Sequence, residues 1–137
     1  MLKFIEKYKI YVVYFPLFLY WLLIFTLTTL PSSKLPEVKI NDKIEHFLAY
    51  FGLSVLLGLT LFTQNKSKLL KKAYYIISVF IVAFYGAVDE IHQLYVPGRF
   101  CDINDWLADF VGAIIGSIVV YLFIYVSKVK GNKEYIS

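Results

Sequence analysis

Cysteine is nearly absent: Cys101 stands alone, so no disulfide can form within the chain. Arginine is equally rare, with Arg99 its one example, and histidine occurs only at 46 and 92. There is no H-E-x-x-H or comparable motif, so the sequence assigns no metal and identifies no cofactor. Internal repeats, glycine-rich linkers and low-complexity segments are missing. Polar stretches are short, at 31–41, 64–72, 96–105 and after 127, and none has room for a separate soluble domain. The first apolar run follows Lys3, Lys7 and Lys9 as a secretory signal would. It lacks a small-x-small cleavage site before Pro31, and therefore reads as a retained anchor helix.

What fills the chain is apolar. Hydrophobic residues make up 59% of it and aromatic residues 19%. Four stretches, 10–30, 42–63, 73–95 and 106–126, rise about 1.5 Å per residue as helices and so cross a hydrocarbon core of about 30 Å. Short connections favour antiparallel neighbours. The expected fold is all-α: one integral membrane domain over 1–137, an antiparallel four-helix bundle. Pro16 should kink or loosen the first span. Tyr20 and Trp21 fall at its middle and should pack against other helices. Pro31 and Pro36 bracket the first outer loop, and Pro97-Gly98 makes a turn after the third span.

The net charge of +4 does not point to nucleic acid, because the lysines flank the spans. Lys3, Lys7 and Lys9 precede the first, Lys66, Lys68, Lys71 and Lys72 lie between the second and third, and Lys128, Lys130 and Lys133 follow the fourth. Lys34, Lys39, Lys43 and Arg99 lie on the other side. The positive-inside rule then places both termini in the cytoplasm. Acids run the opposite way, with only Glu6 and Glu134 inside. Asp42, Glu45, His46, Asp89, Glu90, His92, Asp102, Asp105 and Asp109 gather at the outer ends, where charge beside hydrocarbon is costly and reads by default as a functional site.

Each residue of a helix advances about 100°, so Asp42, His46 and Tyr50 form one polar stripe on the second span. An Asp and a His four apart can orient an imidazole for proton transfer or offer two metal ligands. Asn41 or Asp42, with Glu45 in the first turn, equally makes a helix N-terminus. On the third span Gly86, Asp89, Glu90 and Gln93 share an arc of about 100°, with His92 on the other flank. Asp89 lies about 10 Å short of the outer end. Two adjacent carboxylates there require either a retained proton or compensation by a cation or arginine, and a structural ion pair is the plainer alternative. Arg99, after the Pro97-Gly98 turn, can fold back to Asp89, Asp102 or Asp105, or hold an anion. On the fourth span Asp105, Asp109, Gly112 and Gly116 share one face, and the two glycines let another helix approach closely.

Taken in order, Asp42-Lys43-x-x-His46-Phe47-x-x-Tyr50, Asp89-Glu90-x-x-Gln93, Pro97-Gly98-Arg99 and Asp105-x-x-x-Asp109-x-x-Gly112-x-x-x-Gly116 resemble the VanZ-like family of bacterial membrane proteins. The resemblance spans 42 to 116. It implies a multi-pass protein of the bacterial cell membrane and a link to resistance to the glycopeptide teicoplanin. It marks Asp42, His46, Tyr50, Asp89, Glu90, Gln93, Arg99, Asp105 and Asp109. The family pattern often has Asn where this chain has Asp109, which favours a hydrogen-bonding role there. The expected site has His46, Asp89 and Glu90 as catalytic groups. Asp42, Tyr50, Gln93, Arg99, Asp105 and Asp109 bind a lipid-linked or lipid-tailed molecule. A non-catalytic binding or exclusion protein is the alternative, and a small proton-coupled exporter ranks below it because the acids lie in the outer third of the spans. Neither turnover nor oligomeric state is set by these residues.

Overall fold

The apolar runs become helices whose ends are set by local polar chemistry. A computed structural model describes residues 1–34 and 41–133. Pro36 and Lys39, in the loop expected on the outer side, and Glu134 lie outside the described residues. Helix α1 (Leu2–Lys7) leads through a turn of π-helix at Ile10–Tyr14 into α2 (Phe15–Thr29). The wider turn falls just before Pro16, whose ring removes an amide donor and crowds the preceding carbonyls. Helix α3 (Asp42–Thr63) begins where Asn41 Oδ1 accepts from the Lys43 amide at 3.0 Å, with Asp42 and Glu45 complementing the dipole of the first turn. It stops at Gln64, whose Oε1 accepts the Lys66 and Ser67 amides, each at 2.8 Å, and turns the chain into the short α4 (Lys68–Lys72).

Helix α5 (Tyr74–Gln93) ends two residues before the expected boundary. Beyond Gln93 the amides of Tyr95 and Val96 reach carbonyls three residues back, at 3.0 Å each, which tightens the chain into the Pro97-Gly98 turn. Gly98 has a φ of 77° and the Arg99 amide bonds Val96 O at 3.1 Å, a turn that only glycine enters without strain. Helix α6 (Ile103–Lys133) starts three residues before Trp106, because Asp102 Oδ1 accepts the Asn104 amide at 2.9 Å and caps it.

Four helical stretches, Ile10–Thr29, Asp42–Thr63, Tyr74–Gln93 and Ile103–Val129, are long and apolar enough to cross a membrane, and no strand occurs among the described residues. The direction alternates along the chain. Lys9 Nζ meets Thr63 O at 3.1 Å at one end, while Phe25 stacks on His92 at 5.9 Å at the other. The most extensive contact joins α3 and α6, which are parallel and not neighbours in sequence. A Cβ on Gly112 would lie 2.5 Å from Phe47 O, and one on Gly116 would lie 2.6 Å from Phe51 O. Ser54 Oγ adds a bond to Ala113 O at 2.7 Å. Helix α5 packs antiparallel across this pair, tied by Ser117 Oγ to Tyr75 O at 2.6 Å. Span α2 is peripheral and docks through aromatic rings. Trp21 meets Tyr85 edge-on at 5.1 Å, and the Tyr20 hydroxyl covers Gly52. Phe18, Phe80 and Phe84 stay exposed at 63%, 72% and 72%, as suits rings facing lipid.

Candidate functional site

The packing of α3, α5 and α6 carries one polar face of each to a common point near the ends marked by Asn41, Gln93 and Ile103. Asp109 is wholly enclosed, Asp89, Glu90 and Gln93 are each 3% exposed, and Asp105 is 6% exposed. Such burial keeps these carboxylates from relying on bulk water. His46, its side chain 10% exposed, comes down from α3 between them. Its Nδ1 lies 3.0 Å from Asp109 Oδ1 and 3.9 Å from Glu90 Oε1. One turn deeper, the Tyr50 hydroxyl donates to Asp89 Oδ2 at 3.1 Å. Gln93 Nε2 spans Asp89 Oδ2 and Glu90 Oε1, both at 3.4 Å. Glu90 Oε2 accepts the Asp102 amide at 2.9 Å and so holds the turn between α5 and α6 against α5.

Eight of the expected residues therefore sit together: Asp42, His46, Tyr50, Asp89, Glu90, Gln93, Asp105 and Asp109. Asp42 is at the exposed rim, within 4.8 Å of His46 and Asp105 through one donor atom each. Arg99 is the correction. Instead of pairing with Asp89, Asp102 or Asp105, its guanidinium donates to Leu27 O at 3.0 Å, and its Nε has no partner among the described residues. Leu27 is in the last turn of α2, where carbonyls lack intrahelical donors and a cation complements the dipole. Among the described residues the lysine that meets the carboxylates is Lys43, at 2.8 Å from Asp105 and 3.2 Å from Asp102. Its place beside Asp42 in the motif that carries the family resemblance was the available signal. Asp102 lies outside the spans. The Asn104 amide, and behind it Lys43, holds its carboxyl below the usual aspartate range, against the pull of desolvation.

Tyr85 was also missed. Its ring stacks on Tyr50 at 6.0 Å and its buried hydroxyl has no partner among the described residues. The signal was its position one turn before Asp89 on the same face. His92, stacked on Phe25, stays outside the cluster, as its place on the other flank of α5 implied.

Four apolar helices, three of them enclosing a buried cluster of carboxylates and one imidazole, define a polytopic membrane protein with a polar cluster at one end of its bundle. A family model described as VanZ/LLP1 matches residues 12–124, and the chain belongs to the VanZ/LLP1 family. No curated protein and no solved structure matches it.

Proposed function

We propose that this is a multi-pass protein of the bacterial cell membrane, with both termini in the cytoplasm and the polar cluster opening to the outer face. There it acts on a lipid-linked or amphiphilic molecule of the envelope, in glycopeptide resistance of the teicoplanin type. The observation that carries the reading is the meeting of His46 with Glu90 and Asp109 from three helices, close to one end of the apolar spans. An amphiphile places its polar head at that level and its tail along the apolar helix faces. His46, Asp89 and Glu90 are the groups positioned for proton transfer to or from such a head. Arg99, whose buried Nε has no partner among the described residues, would meet an anionic group such as a phosphate.

The test uses Asp89→Asn, Glu90→Gln and His46→Ala in the full-length chain, measuring abundance, melting temperature and teicoplanin susceptibility on the same strains. A structural ion network stranded by loss of one partner loses several kcal/mol and its abundance with it. The proposal expects at least two of the three variants to keep abundance and melting near wild type while resistance is lost. All three quantities falling together in every variant would return the cluster to a structural role. Turnover of a lipid-linked substrate by the purified protein separates an enzyme from a non-catalytic binder that intercepts the same ligand.

A further inference from the structure

Among the described residues the cluster holds more carboxylates than cations. Lys43 is engaged by Asp102 and Asp105, and Arg99 reaches a backbone carbonyl of α2. Asp89 has Tyr50 and Gln93 as donors. Glu90 has the Asp102 amide on Oε2 and Gln93 Nε2 on Oε1, and it shares with Asp109 the one imidazole of the cluster, in surroundings from which water is largely excluded. Asp109 is the sharper case. Its side chain is completely buried and points into the cluster, with Oδ1 on His46 and Oδ2 without a partner among the described residues. Oδ2 faces Gly86, where a Cβ would come within 2.9 Å of it, so the glycine leaves the carboxylate clear of a side chain on that flank.

We propose that His46, Glu90 and Asp109 bind a divalent cation of the zinc or manganese class. Imidazole nitrogen with two carboxylates is a donor set for such ions, at metal–ligand distances of about 2.0–2.2 Å. Donors around a tetrahedral ion stand about 3.4 Å apart at those distances. The 3.0 and 3.9 Å separations from His46 Nδ1 bracket that value, and one donor atom of each residue lies within 4.8 Å of the others. The neighbouring group of Asp42, His46 and Asp105 has similar spacing. It is the poorer site, because Asp42 is exposed and Asp105 is bound to Lys43. The inference rests on the reading of this cluster as the functional site. It reassigns His46 and Glu90 from proton transfer to holding the ion, and leaves open coordination positions for an oxygen of the amphiphile's head. Because the three ligands come from α3, α5 and α6, the ion would also clamp those helices together.

The test uses full-length protein in lipid nanodiscs, stripped with a chelator and loaded with Zn2+ or Mn2+ alone. Wild type should retain a single ion per chain after desalting and melt at a higher temperature when loaded. Glu90→Gln and His46→Ala should each bind at least tenfold more weakly, whereas Asp42→Asn should bind as wild type does. Should either variant fail to fold, 15N-histidine labelling of the wild type decides: Zn2+ should shift the ring nitrogens of His46 and leave those of His92 in place. Folded wild type that retains no ion, unmoved His46 resonances, or loss of binding in Asp42→Asn but not in Glu90→Gln would each overturn the site. Zn2+ binding at His46 in a protein without an envelope phenotype would refute the proposed function and leave the metal site standing. Folded wild type that retains no ion in a strain whose resistance is lost with His46→Ala would refute the metal site alone.

Discussion

Replacing Gly112 by Ala puts the α3–α6 interface under direct strain. The added Cβ would sit 2.5 Å from Phe47 O and 2.9 Å from Phe51 N, against the 3.4 Å at which ordinary contact begins, so the shortfall at Phe47 is about 0.9 Å. Both obstacles are backbone atoms of α3, so no rotamer change relieves them and the helices must part. Overpacking of this kind costs roughly 1–3 kcal/mol, and at a backbone obstacle the upper end applies. Alanine's better helix propensity returns roughly 1 kcal/mol. The net expectation is a loss of about 2 kcal/mol, or roughly a thirtyfold fall in the folded-to-unfolded ratio. Phe47 follows His46 directly, so the same displacement should open the 3.0 Å His46–Asp109 contact and impair the site. Thermal unfolding of the full-length protein in nanodiscs, followed by tryptophan fluorescence, reads the first effect, and teicoplanin susceptibility the second. Val119→Leu is the control, since Val119 is 44% exposed on the lipid side. Val120 is not a neutral site, because it is 2% exposed and packs over Gly58. Gly112→Ala melting with wild type and Val119→Leu would refute the close-packing argument.

Cys101 is exposed in the turn between α5 and α6, and with both termini in the cytoplasm a membrane-impermeant thiol reagent applied to intact cells should label it; labelling of an added C-terminal cysteine but not of Cys101 would invert the topology. Tyr50→Phe removes the hydroxyl that donates to buried Asp89, and should cost roughly 1–3 kcal/mol by denaturant titration; an unchanged midpoint would mean that Gln93 alone satisfies the carboxylate. Asp102 is held more acidic in the folded chain than in the unfolded one, so its contribution is present above the ordinary aspartate range and lost as pH falls through the lowered value. The melting difference between wild type and Asp102→Asn should therefore be flat near neutrality and close below roughly pH 4, and a difference that widens on acidification would contradict the sign.

Much of this protein is legible one residue at a time, because the membrane acts on local properties. Span lengths follow from runs of apolar side chains, and expected topology follows from the lysines beside them. The 3.6-residue period put Asp89, Glu90 and Gln93 on one face of α5 and left His92 off it, as the structure shows. Asn41 as a cap and Gly112 with Gly116 as a packing surface were likewise readable, since each depends on its own helix. What sequence could not supply was the partner of each face. Short loops pointed to antiparallel neighbours, yet the tightest pair is α3 with α6, because two glycines allow these non-adjacent helices to come closer than either comes to α2. That approach, and nothing local, sets His46 against Asp109. The choice of cation was also a tertiary decision. The Gly98 turn sends Arg99 to the carbonyl-rich end of α2, and Lys43, on the first turn of α3, lies beside the start of α6 and takes its acids. The His46, Glu90 and Asp109 triad belongs to the same class of fact. Its three donors sit on separate helices with no motif in common, and only the packing of those helices brings them within reach of one ion.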